Sequence, residues 1–302
     1  MTTYGLRYRF HSAEHIQLPA GQDDLDLGRT PFNQPIRLTV RDCKRPRGFC
    51  VMVIRAGGFP TSENAWAMGQ DIRDALLLTG LELRAGIDVG NDRVSGGLSR
   101  YAKDKIKSET GVQVLDDVHG LQVYEETGDV KFAGVSTTVT VSMRTDRFTQ
   151  AFSGSLGRRQ LSPKQSLALE LVNLAHYEST PRSRALVLIS AVEVLAVPQE
   201  RSREARSFLN SLAAQVRQSL SGAEAQQLKN AILALKREGI RSACKHLVCK
   251  HLGEKEAKLF GKLYGVRCEI IHGGKPNESL DLRRYASEVE DLVQELLTSM
   301  LL

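Results

Sequence analysis

Arg267 and His272 are the two residues of this 302-residue chain whose types and spacing best fit a chemical role. They lie five positions apart, where a helical pattern runs into the dipeptide Gly273-Gly274. Arginine is a permanent cation that binds phosphate with a fork of N–H donors, and histidine exchanges a proton near neutral pH. A guanidinium and an imidazole together are sufficient for cleavage of RNA without a metal ion.

Spacing alone does not distinguish this pair, because Arg9 precedes His15 and Arg241 precedes His246 at similar distances. The two glycines do distinguish it. On a straight helix, residues five apart diverge by about 140° around the axis. Glycine at a helix terminus permits the left-handed conformation that ends the helix. We therefore expect His272 in the last turn or just beyond it, free to turn back toward the guanidinium.

The helical pattern begins near residue 161 and continues to the end of the chain. Ser162-Pro163 and Thr180-Pro181 each combine an N-cap residue with proline at the first helical position. Apolar residues at three- and four-residue steps, such as Leu167, Leu171 and Leu174, predict the buried faces. The predicted helices span residues 163–178, 181–197, 201–220, 223–237, 239–252, 254–271 and 279–301.

Residues 1–152 mix strand-like and helical signals, which predicts an α+β domain of unknown function. A helix is predicted over 62–78 with Ser62 as its N-cap, and Thr127-Gly128-Asp129 predicts a hairpin turn. The polar segment 152–159 predicts a linker, so residues 160–302 are assigned to an all-helical domain. The predicted strands, rich in β-branched and aromatic residues, span residues 4–10, 36–40, 49–54, 112–115, 121–124 and 130–143.

The composition predicts a soluble cytoplasmic protein. Five cysteines at irregular spacing indicate a reducing compartment, and the start of the chain lacks the apolar core of a secretory signal. No apolar run is long enough to cross a bilayer, so we expect no membrane partner. The net charge is +6, and residues 236–262 hold eight basic side chains against three glutamates. That local excess fits either a polyanionic partner or a solvated helix face.

The segment Leu263-Tyr264-x-x-Arg267-x-x-x-x-His272-Gly273-Gly274 resembles the signature helix of HEPN domains (higher eukaryotes and prokaryotes nucleotide-binding), in particular of the ApeA-like branch. The stretch from Ser190 to Leu195 is similar to the second-helix element of this family. His251-Leu252-Gly253 precedes the signature helix, and a final helix follows it. The resemblance covers about residues 162–302 and implies a bundle of helices there.

Many HEPN proteins are ribonucleases of toxin–antitoxin, abortive-infection and antiphage systems, and the resemblance implies the same activity here. His272 then acts as general base or acid at the RNA 2′-hydroxyl and the leaving oxygen, and Arg267 neutralises charge on the phosphorane. The family dimerises, which implies that two such pairs face one cleft. The implied partners are RNA, a second copy of this chain, and an antitoxin or a phage-derived trigger. No cofactor and no metal ion are expected.

The resemblance also implies supporting and RNA-binding residues. Glu193 is expected beside the signature helix, where it either orients a catalytic group or forms a structural ion pair with Arg267. Tyr264 and Cys268 are the other supporting residues, and Cys268 stands where active members often carry a polar residue. The cations expected to bind RNA are Lys258, Lys262, Lys275, Arg283 and Arg284.

Two other interpretations of the function stay open. In the first, the helical half is a catalytically inactive HEPN module that binds RNA, a nucleotide or a partner protein. In the second, the N-terminal domain is the enzyme and the helical half serves dimerisation. Asp116, Asp117 and His119 offer metal-binding or acid–base groups there, although a solvated turn between two strands also accounts for them.

Two further features are interpreted as structural. Cys244, His246, Cys249 and His251 offer metal-ligand atoms, but on one helix they divide between two faces and cannot converge on one ion. The lone tryptophan, Trp66, lies on a predicted helix and is expected in the core.

Overall fold

The N-terminal sheet and the helices that follow it give this protein an α+β layout, as the sequence predicts. The computed structural model describes residues 2–18, 24–42, 50–96, 99–126, 130–133, 142–157, 160–272 and 280–302. The chain divides into two compact units, which we call the N-terminal unit (Met1–Val187 with Leu301–Leu302) and the helical unit (Leu188–Met300).

All of the strands that the structure describes belong to the N-terminal unit. Among the described residues, eight of them form one sheet with the order β3-β4-β5-β1-β8-β7, in which β6 also pairs with β1 and β9 with β8, while β10 and β2 form a separate parallel pair. Their bounds are β1 (Tyr4–Ser12), β2 (His15–Gln17), β3 (Asp24–Arg29), β4 (Pro35–Asp42), β5 (Cys50–Phe59), β6 (Ile87–Asp88), β7 (Arg93–Gly96), β8 (Gln113–Glu125), β9 (Val130–Ala133) and β10 (Ser142–Arg144).

Strand β1 lies at the centre of the large sheet. It pairs antiparallel with β5 and with β8, so that Tyr8 lies opposite Ile54 on one side and Leu121 on the other. Leu6, Tyr8 and Phe10 alternate along β1 and are fully buried. Alternate side chains of a strand point to one face of its sheet, so these residues form the core on that face.

Strand β8 corrects two sequence predictions. It is continuous from Gln113 to Glu125, so the turn predicted at Asp116 to His119 is wrong. Strand β9 pairs with the beginning of β8 in parallel, with Val130 opposite Gln113, instead of forming the predicted hairpin. Residues 127–129 and 134–141, on which the predicted turn and most of the last predicted strand fall, lie outside the described residues.

Four helices accompany the sheet: α1 (Ser62–Leu83), α2 (Arg100–Thr110), α3 (Thr145–Ser155) and α4 (Pro163–Ala175). The N-cap of α1 is Thr61 instead of Ser62, because the Thr61 side chain accepts from the backbone N–H of Asn64 at 3.2 Å. α2 was not predicted, and α3 occupies half of the predicted linker.

Two predicted core positions on these helices are wrong. Trp66 is 48% exposed, because its neighbours Ala65 and Met68 occupy the buried face of α1. On α4, Leu167 and Leu174 are 45% and 48% exposed. α4 buries the adjacent face instead, which carries Leu169, Val172 and Asn173. A polar residue at the centre of the buried face is the reason that apolar spacing alone selects the wrong face.

Asn173 joins α4 to α1 and β6. Its side chain is buried, and its Oδ1 accepts from the backbone N–H of Ile87 at 2.9 Å. Its Nδ2 donates to the carbonyl oxygens of Leu77 at 3.4 Å and of Leu169 at 2.9 Å. A buried amide that is hydrogen-bonded at both ends fixes the relative position of the elements it joins.

Replacing Gly80 by alanine should destabilise the protein, although alanine is the better helix former. A Cβ at this position of α1 would overlap Oδ1 of Asn173 and would lie 3.0 Å from the carbonyl oxygen of Ala85. Displacing Asn173 from its hydrogen bonds costs about 1–3 kcal/mol. A fall in the midpoint of thermal unfolding, Tm, measures the effect.

The matched control is Gly154→Ala on α3, where no described atom lies within 4 Å of the added Cβ. This change should raise the Tm or leave it unchanged, since alanine gains up to about 1 kcal/mol over glycine in a helix. A Gly80→Ala variant that is as stable as Gly154→Ala would contradict the packing of Asn173 described above.

The remaining helices agree with those predicted from residue 181 onward. Each is present within a few residues of its predicted bounds, and the predicted cap Thr180 accepts from the backbone N–H of Ser183 at 3.1 Å. Their bounds are α5 (Pro181–Leu195), α6 (Arg203–Ser219), α7 (Gly222–Ala234), α8 (Ile240–Leu252), α9 (Glu254–His272) and α10 (Leu282–Leu301). In the part of the chain that the structure describes, none of the helices has the length and apolar character needed to span a bilayer.

Candidate functional site

Helix α9 carries both members of the Arg267–His272 pair. It begins directly after Gly253, whose φ of 103° turns the chain at the end of α8. It then continues without a break through His272. Residues 273–279, which include the two glycines expected to end the helix and Lys275, lie outside the described residues.

Arg267 forms a hydrogen-bonded cluster with Glu193 and Tyr264, two of the three supporting residues that the resemblance implies. Its Nη2 lies 3.2 Å from each carboxylate oxygen of Glu193. The Tyr264 hydroxyl donates to Oε1 of the same carboxylate at 2.6 Å, and the guanidinium carbon lies 5.4 Å from the centroid of the Tyr264 ring. The side chains of Arg267 and Glu193 are 20% and 19% exposed, so water shields their ion pair only in part.

Three neighbours of this ion pair, Tyr264, Cys244 and Tyr285, are kept neutral by their raised pKa values. Burial and the hydrogen bond to Glu193 raise the pKa of Tyr264 well above its ordinary value. Burial and the charge of Glu193 raise the pKa of the Cys244 thiol to about 12. Burial also raises the pKa of Tyr285, whose hydroxyl donates to the carbonyl oxygen of Leu263 at 3.2 Å and so ties α10 to α9.

His272 lies in the last turn of α9 and is exposed. Its side chain leaves the helix about 140° away from that of Arg267 and about 7.5 Å farther along the axis. It therefore shares the solvent-facing side of α9 with Lys258 and Lys262, whereas Arg267 shares the buried side with Tyr264. His272 thus lies in the last turn, as expected, but the geometry of a regular helix directs its side chain away from the guanidinium of its own chain.

The residues after the arginine occupy different sides of α9. Cys268 is half-buried and is a free cysteine. Glu269 is exposed and lies three positions before His272, which puts the two side chains on neighbouring positions of the helix surface. The acidic residue after Cys268 is therefore closer to the imidazole than to the guanidinium.

The predicted RNA-binding residues that the structure describes are all exposed. Lys258 and Lys262 lie one turn apart on α9, on the side that carries His272. Arg283 and Arg284 lie in the first turn of α10. Nε of Arg284 donates to Glu288 at 2.9 Å, and this hydrogen bond raises the pKa of Arg284.

Replacing Tyr264 by phenylalanine should destabilise the helical unit at neutral pH and progressively less above pH 10. The folded-state pKa of Tyr264 is raised from the value of 10.0 that the unfolded chain retains. The stabilisation by this tyrosine is therefore complete below pH 10 and is lost as the pH rises through the folded pKa. Urea unfolding followed by circular dichroism near pH 8 should give a difference of about 1–3 kcal/mol from the wild type.

The control for this experiment is Tyr101→Phe, at a tyrosine that is 77% exposed. That variant should match the wild type at neutral and at alkaline pH. A destabilisation by Tyr264→Phe that stays constant or increases above pH 10 would contradict the hydrogen bond between Tyr264 and Glu193.

The metal-ligand atoms on α8 do not converge, as helix geometry predicts. Cys244 is buried, whereas Cys249 is exposed. Nδ1 of His246 lies 2.9 Å from a carboxylate oxygen of Glu238, and the His246 side chain is 66% exposed.

In the N-terminal unit, Asp116 and Asp117, the two acidic residues that the sequence singled out, both form ion pairs. Oδ1 of Asp117 lies 2.6 Å from Nη2 of Arg7, and its Oδ2 lies 2.8 Å from Nη1 of Arg9. Oδ2 of Asp116 lies 2.6 Å from Nζ of Lys103 on α2. The constellation of these two carboxylates with the nearby histidine is therefore not formed.

His119 instead lies beside His11 and Asp88, which the sequence pattern did not single out. Burial raises the pKa of Asp88, but hydrogen bonds to both histidines outweigh it and hold this pKa below the ordinary value. Burial also lowers the pKa of His11, more than the hydrogen bond to Asp88 raises it. No signal in the sequence predicts this cluster, because only the pairing of β1 with β6 and β8 brings the three residues together.

No protein-family model, no curated protein and no solved structure matches this chain. A function for it therefore rests on its own residues, above all on the cluster around Arg267 and on the exposed His272.

Proposed function

We propose that this protein is a metal-independent endoribonuclease of the HEPN type, which acts in bacterial antiphage defence, abortive infection or toxin–antitoxin growth control. Its site combines Arg267 of one chain with His272 of a second chain in a homodimer formed through the helical unit. RNA is the substrate, the cytoplasm is the compartment, and no cofactor is required. The N-terminal unit senses a trigger, restrains the nuclease or selects the RNA.

The observation that carries this proposal is the unfilled hydrogen-bonding capacity of the Arg267 guanidinium. Glu193 contacts Nη2 alone, and Nε is buried with no hydrogen-bond partner among the described residues. The Arg267 side chain is 20% exposed, so a ligand can reach the guanidinium beside Glu193. A phosphate group is the ligand that fits this cation best, because its oxygens match the planar fork of the guanidinium.

The geometry of α9 explains why the proposal needs a second chain. Within one chain the imidazole and the guanidinium project from opposite sides of the helix. In a twofold dimer, a surface patch meets its own copy, so the exposed His272 can approach Arg267 of the second chain. Ile271, next to it, is 46% exposed, and its burial between two copies would favour association.

The proposed reaction is attack of the RNA 2′-oxygen on the adjacent phosphorus. One His272 imidazole accepts the proton of the 2′-hydroxyl as the new O–P bond forms. The bond from phosphorus to the 5′-oxygen breaks, and the imidazolium formed in this way gives its proton to that oxygen. Arg267 stabilises the additional negative charge of the phosphorane. The products carry a 2′,3′-cyclic phosphate and a 5′-hydroxyl.

Incubation of the full-length protein with total RNA in EDTA tests the proposal. We expect cleavage that leaves cyclic phosphate ends. A 2′-O-methyl copy of a cleaved RNA should stay intact, because its nucleophile is blocked. Activity that disappears in EDTA, or cleavage of the 2′-O-methyl copy, would show a different mechanism.

Removing the two lysines on the His272 side of α9 should lower the affinity for RNA and its dependence on salt. Each phosphate contact to a single strand contributes about 0.7 to the slope of log affinity against log salt concentration. The variant Lys258→Ala/Lys262→Ala should therefore lower this slope by about 1.4. Fluorescence anisotropy with a labelled single-stranded RNA measures it, in a His272→Ala background that prevents cleavage.

The control for the salt series is Lys105→Ala/Lys107→Ala, which removes two exposed lysines from α2 in the N-terminal unit. This variant should keep the slope of the parent protein. Equal slopes for all three proteins would exclude the lysines of α9 from the RNA-binding surface.

A catalytically inactive HEPN module that binds RNA, a nucleotide or a partner protein is the second candidate function. Glu193 already neutralises Arg267, and Cys268 replaces the polar residue that follows the arginine in many active relatives. The EDTA experiment separates the two candidates. RNA binding that survives His272→Ala, without any cleavage by the wild type, would support the inactive module.

A further inference from the structure

Three strands of the N-terminal unit bring two imidazoles and a carboxylate together. His11 lies near the end of β1, directly opposite Asp88 of β6. His119 lies on β8, which pairs with β1 through Arg9 and Gly120. All three are therefore held by the backbone of one sheet. None of them belongs to the helical unit that carries Arg267.

The ligand atoms of this group face one another. Nε2 of His119 lies 3.0 Å from Oδ2 of Asp88, and Nδ1 of His11 lies 3.7 Å from the same oxygen. The two imidazole rings stack with centroids 4.1 Å apart. One nitrogen from each ring and one carboxylate oxygen all lie within 4.8 Å of one another.

The turn after β6 fixes the carboxylate. Oδ1 of Asp88 accepts from the backbone N–H of Gly90 at 3.0 Å, so that Oδ2 faces the imidazoles. Gly90 has φ of 77°, and a Cβ there would lie 2.5 Å from the carbonyl oxygen of His119, so only glycine fits. The same carbonyl oxygen accepts from the N–H of Asp92 at 2.9 Å. The turn and β8 are thus locked together around the group.

We propose that His11, Asp88 and His119 bind a divalent first-row transition-metal ion, such as Zn²⁺. Two histidines and one carboxylate are a ligand set that catalytic zinc and non-haem iron sites use, with further positions left for water. Around an ion with bonds of about 2.0–2.1 Å, neighbouring ligand atoms lie about 3.0–3.4 Å apart. The observed spacing reaches this geometry through small side-chain rotations.

The surroundings of the group leave a path by which an ion can enter from solvent. Nε2 of His11 and Nδ1 of His119 are buried without a hydrogen-bond partner among the described residues, so both rings rely on one carboxylate oxygen. The two histidine side chains are 18% and 15% exposed, whereas Asp88 is 48% exposed. The group is therefore closed on the imidazole side and open to solvent at the carboxylate. That arrangement supplies three ligands and an entry path.

Titration of the EDTA-stripped, full-length protein with Zn²⁺ tests this site. We expect one ion per chain for the wild type and no binding of Mg²⁺, which prefers oxygen ligands. Loss of an outer-shell partner typically weakens metal binding by about 10–100-fold, so loss of a ligand in His119→Ala or Asp88→Asn should weaken it by at least that factor. The control is His246→Ala, which removes an exposed histidine of the helical unit and should bind as the wild type does.

X-ray absorption of the zinc-loaded wild type tests the site without relying on a variant. The spectrum should show nitrogen and oxygen ligands at about 2.0–2.1 Å with two imidazoles. Sulfur at about 2.3 Å, no bound zinc, or full affinity in both ligand variants would overturn the proposal. The ribonuclease experiment is done in EDTA, so the failure of either proposal leaves the other unaffected.

Discussion

His272→Ala should lower the rate of RNA cleavage by at least about 100-fold, because general acid–base catalysis contributes about 10²–10⁴-fold to a reaction. The side chain is exposed at the end of α9, so its removal leaves the packing of the helical unit unchanged. Single-turnover cleavage with protein in excess over a labelled RNA measures the chemical step. The control His246→Ala should cleave at the wild-type rate.

Arg267→Ala should lower the same rate by about 10²–10³-fold, because it removes a donor to the charge that develops on the phosphorane. This change also leaves Glu193 without its ion pair, so a loss of stability accompanies it. Arg267→Lys separates the two effects, because lysine keeps the charge next to Glu193 but lacks the planar fork. Wild-type activity in Arg267→Lys would exclude the proposed catalytic role of Arg267, and wild-type activity in His272→Ala would exclude that of His272.

Asp117→Asn should destabilise the N-terminal unit by about 3–5 kcal/mol, the cost of removing one charge from a buried ion-pair group. Asp117 binds two arginines of β1, and the side chains of Arg7 and Arg9 are 2% and 5% exposed. The guanidinium of Arg7 also lies over the ring of Phe132, with 4.6 Å to its centroid. Without the carboxylate, two cations remain in a space that excludes water.

The matched control is Asp116→Asn, which removes a carboxylate from the preceding residue of the same strand. Its ion pair with Lys103 is partly exposed, so the expected loss is at most about 1 kcal/mol. Trp66 is the only tryptophan of the chain and lies on α1 of the N-terminal unit, so its fluorescence during urea unfolding follows that unit. Equal losses for the two variants would contradict the buried pairing of Asp117.

The sequence predicted the helical unit well because its signals are local. A capping residue, a proline at the first helical position and a glycine at the end each act within one turn. The same kind of local signal predicted α4 of the N-terminal unit, where the Ser162 side chain accepts from the backbone N–H of Gln165 and the Gln165 side chain accepts from the backbone N–H of Ser162. Such a capping box is contained in four consecutive residues and needs no partner elsewhere in the chain.

The N-terminal unit was harder to predict because its decisive contacts are distant in sequence. Arg7 and Asp117 are separated by 110 positions and meet only when β1 and β8 pair. Two adjacent aspartates, Asp116 and Asp117, are typical of a turn in the sequence. Only the structure shows that cations lie opposite them. The sequence singled out His119 but not its partners His11 and Asp88, since these three residues also meet only when β1 pairs with β6 and β8.

The candidate site was likewise predicted where its contacts are local and not where they depend on the rest of the fold. The proximity of Arg267 and Tyr264 follows from their spacing on one helix, and the contact with Glu193 followed from the resemblance to HEPN proteins. The two glycines correctly predicted His272 in the last turn of α9, but they did not determine the direction of its side chain. The helix includes His272, so the two proposed catalytic groups of one chain face apart.

Mixing two inactive variants tests the shared site most directly. The Arg267→Ala and His272→Ala proteins are unfolded together and refolded at equal concentration, so that about half of the dimers contain one chain of each. If Arg267 of one chain works with His272 of the other, each mixed dimer has one intact pair, and the mixture should recover about a quarter of the wild-type activity. Activity that stays at the level of the separate variants, although mixed dimers have formed, would contradict a site shared between two chains.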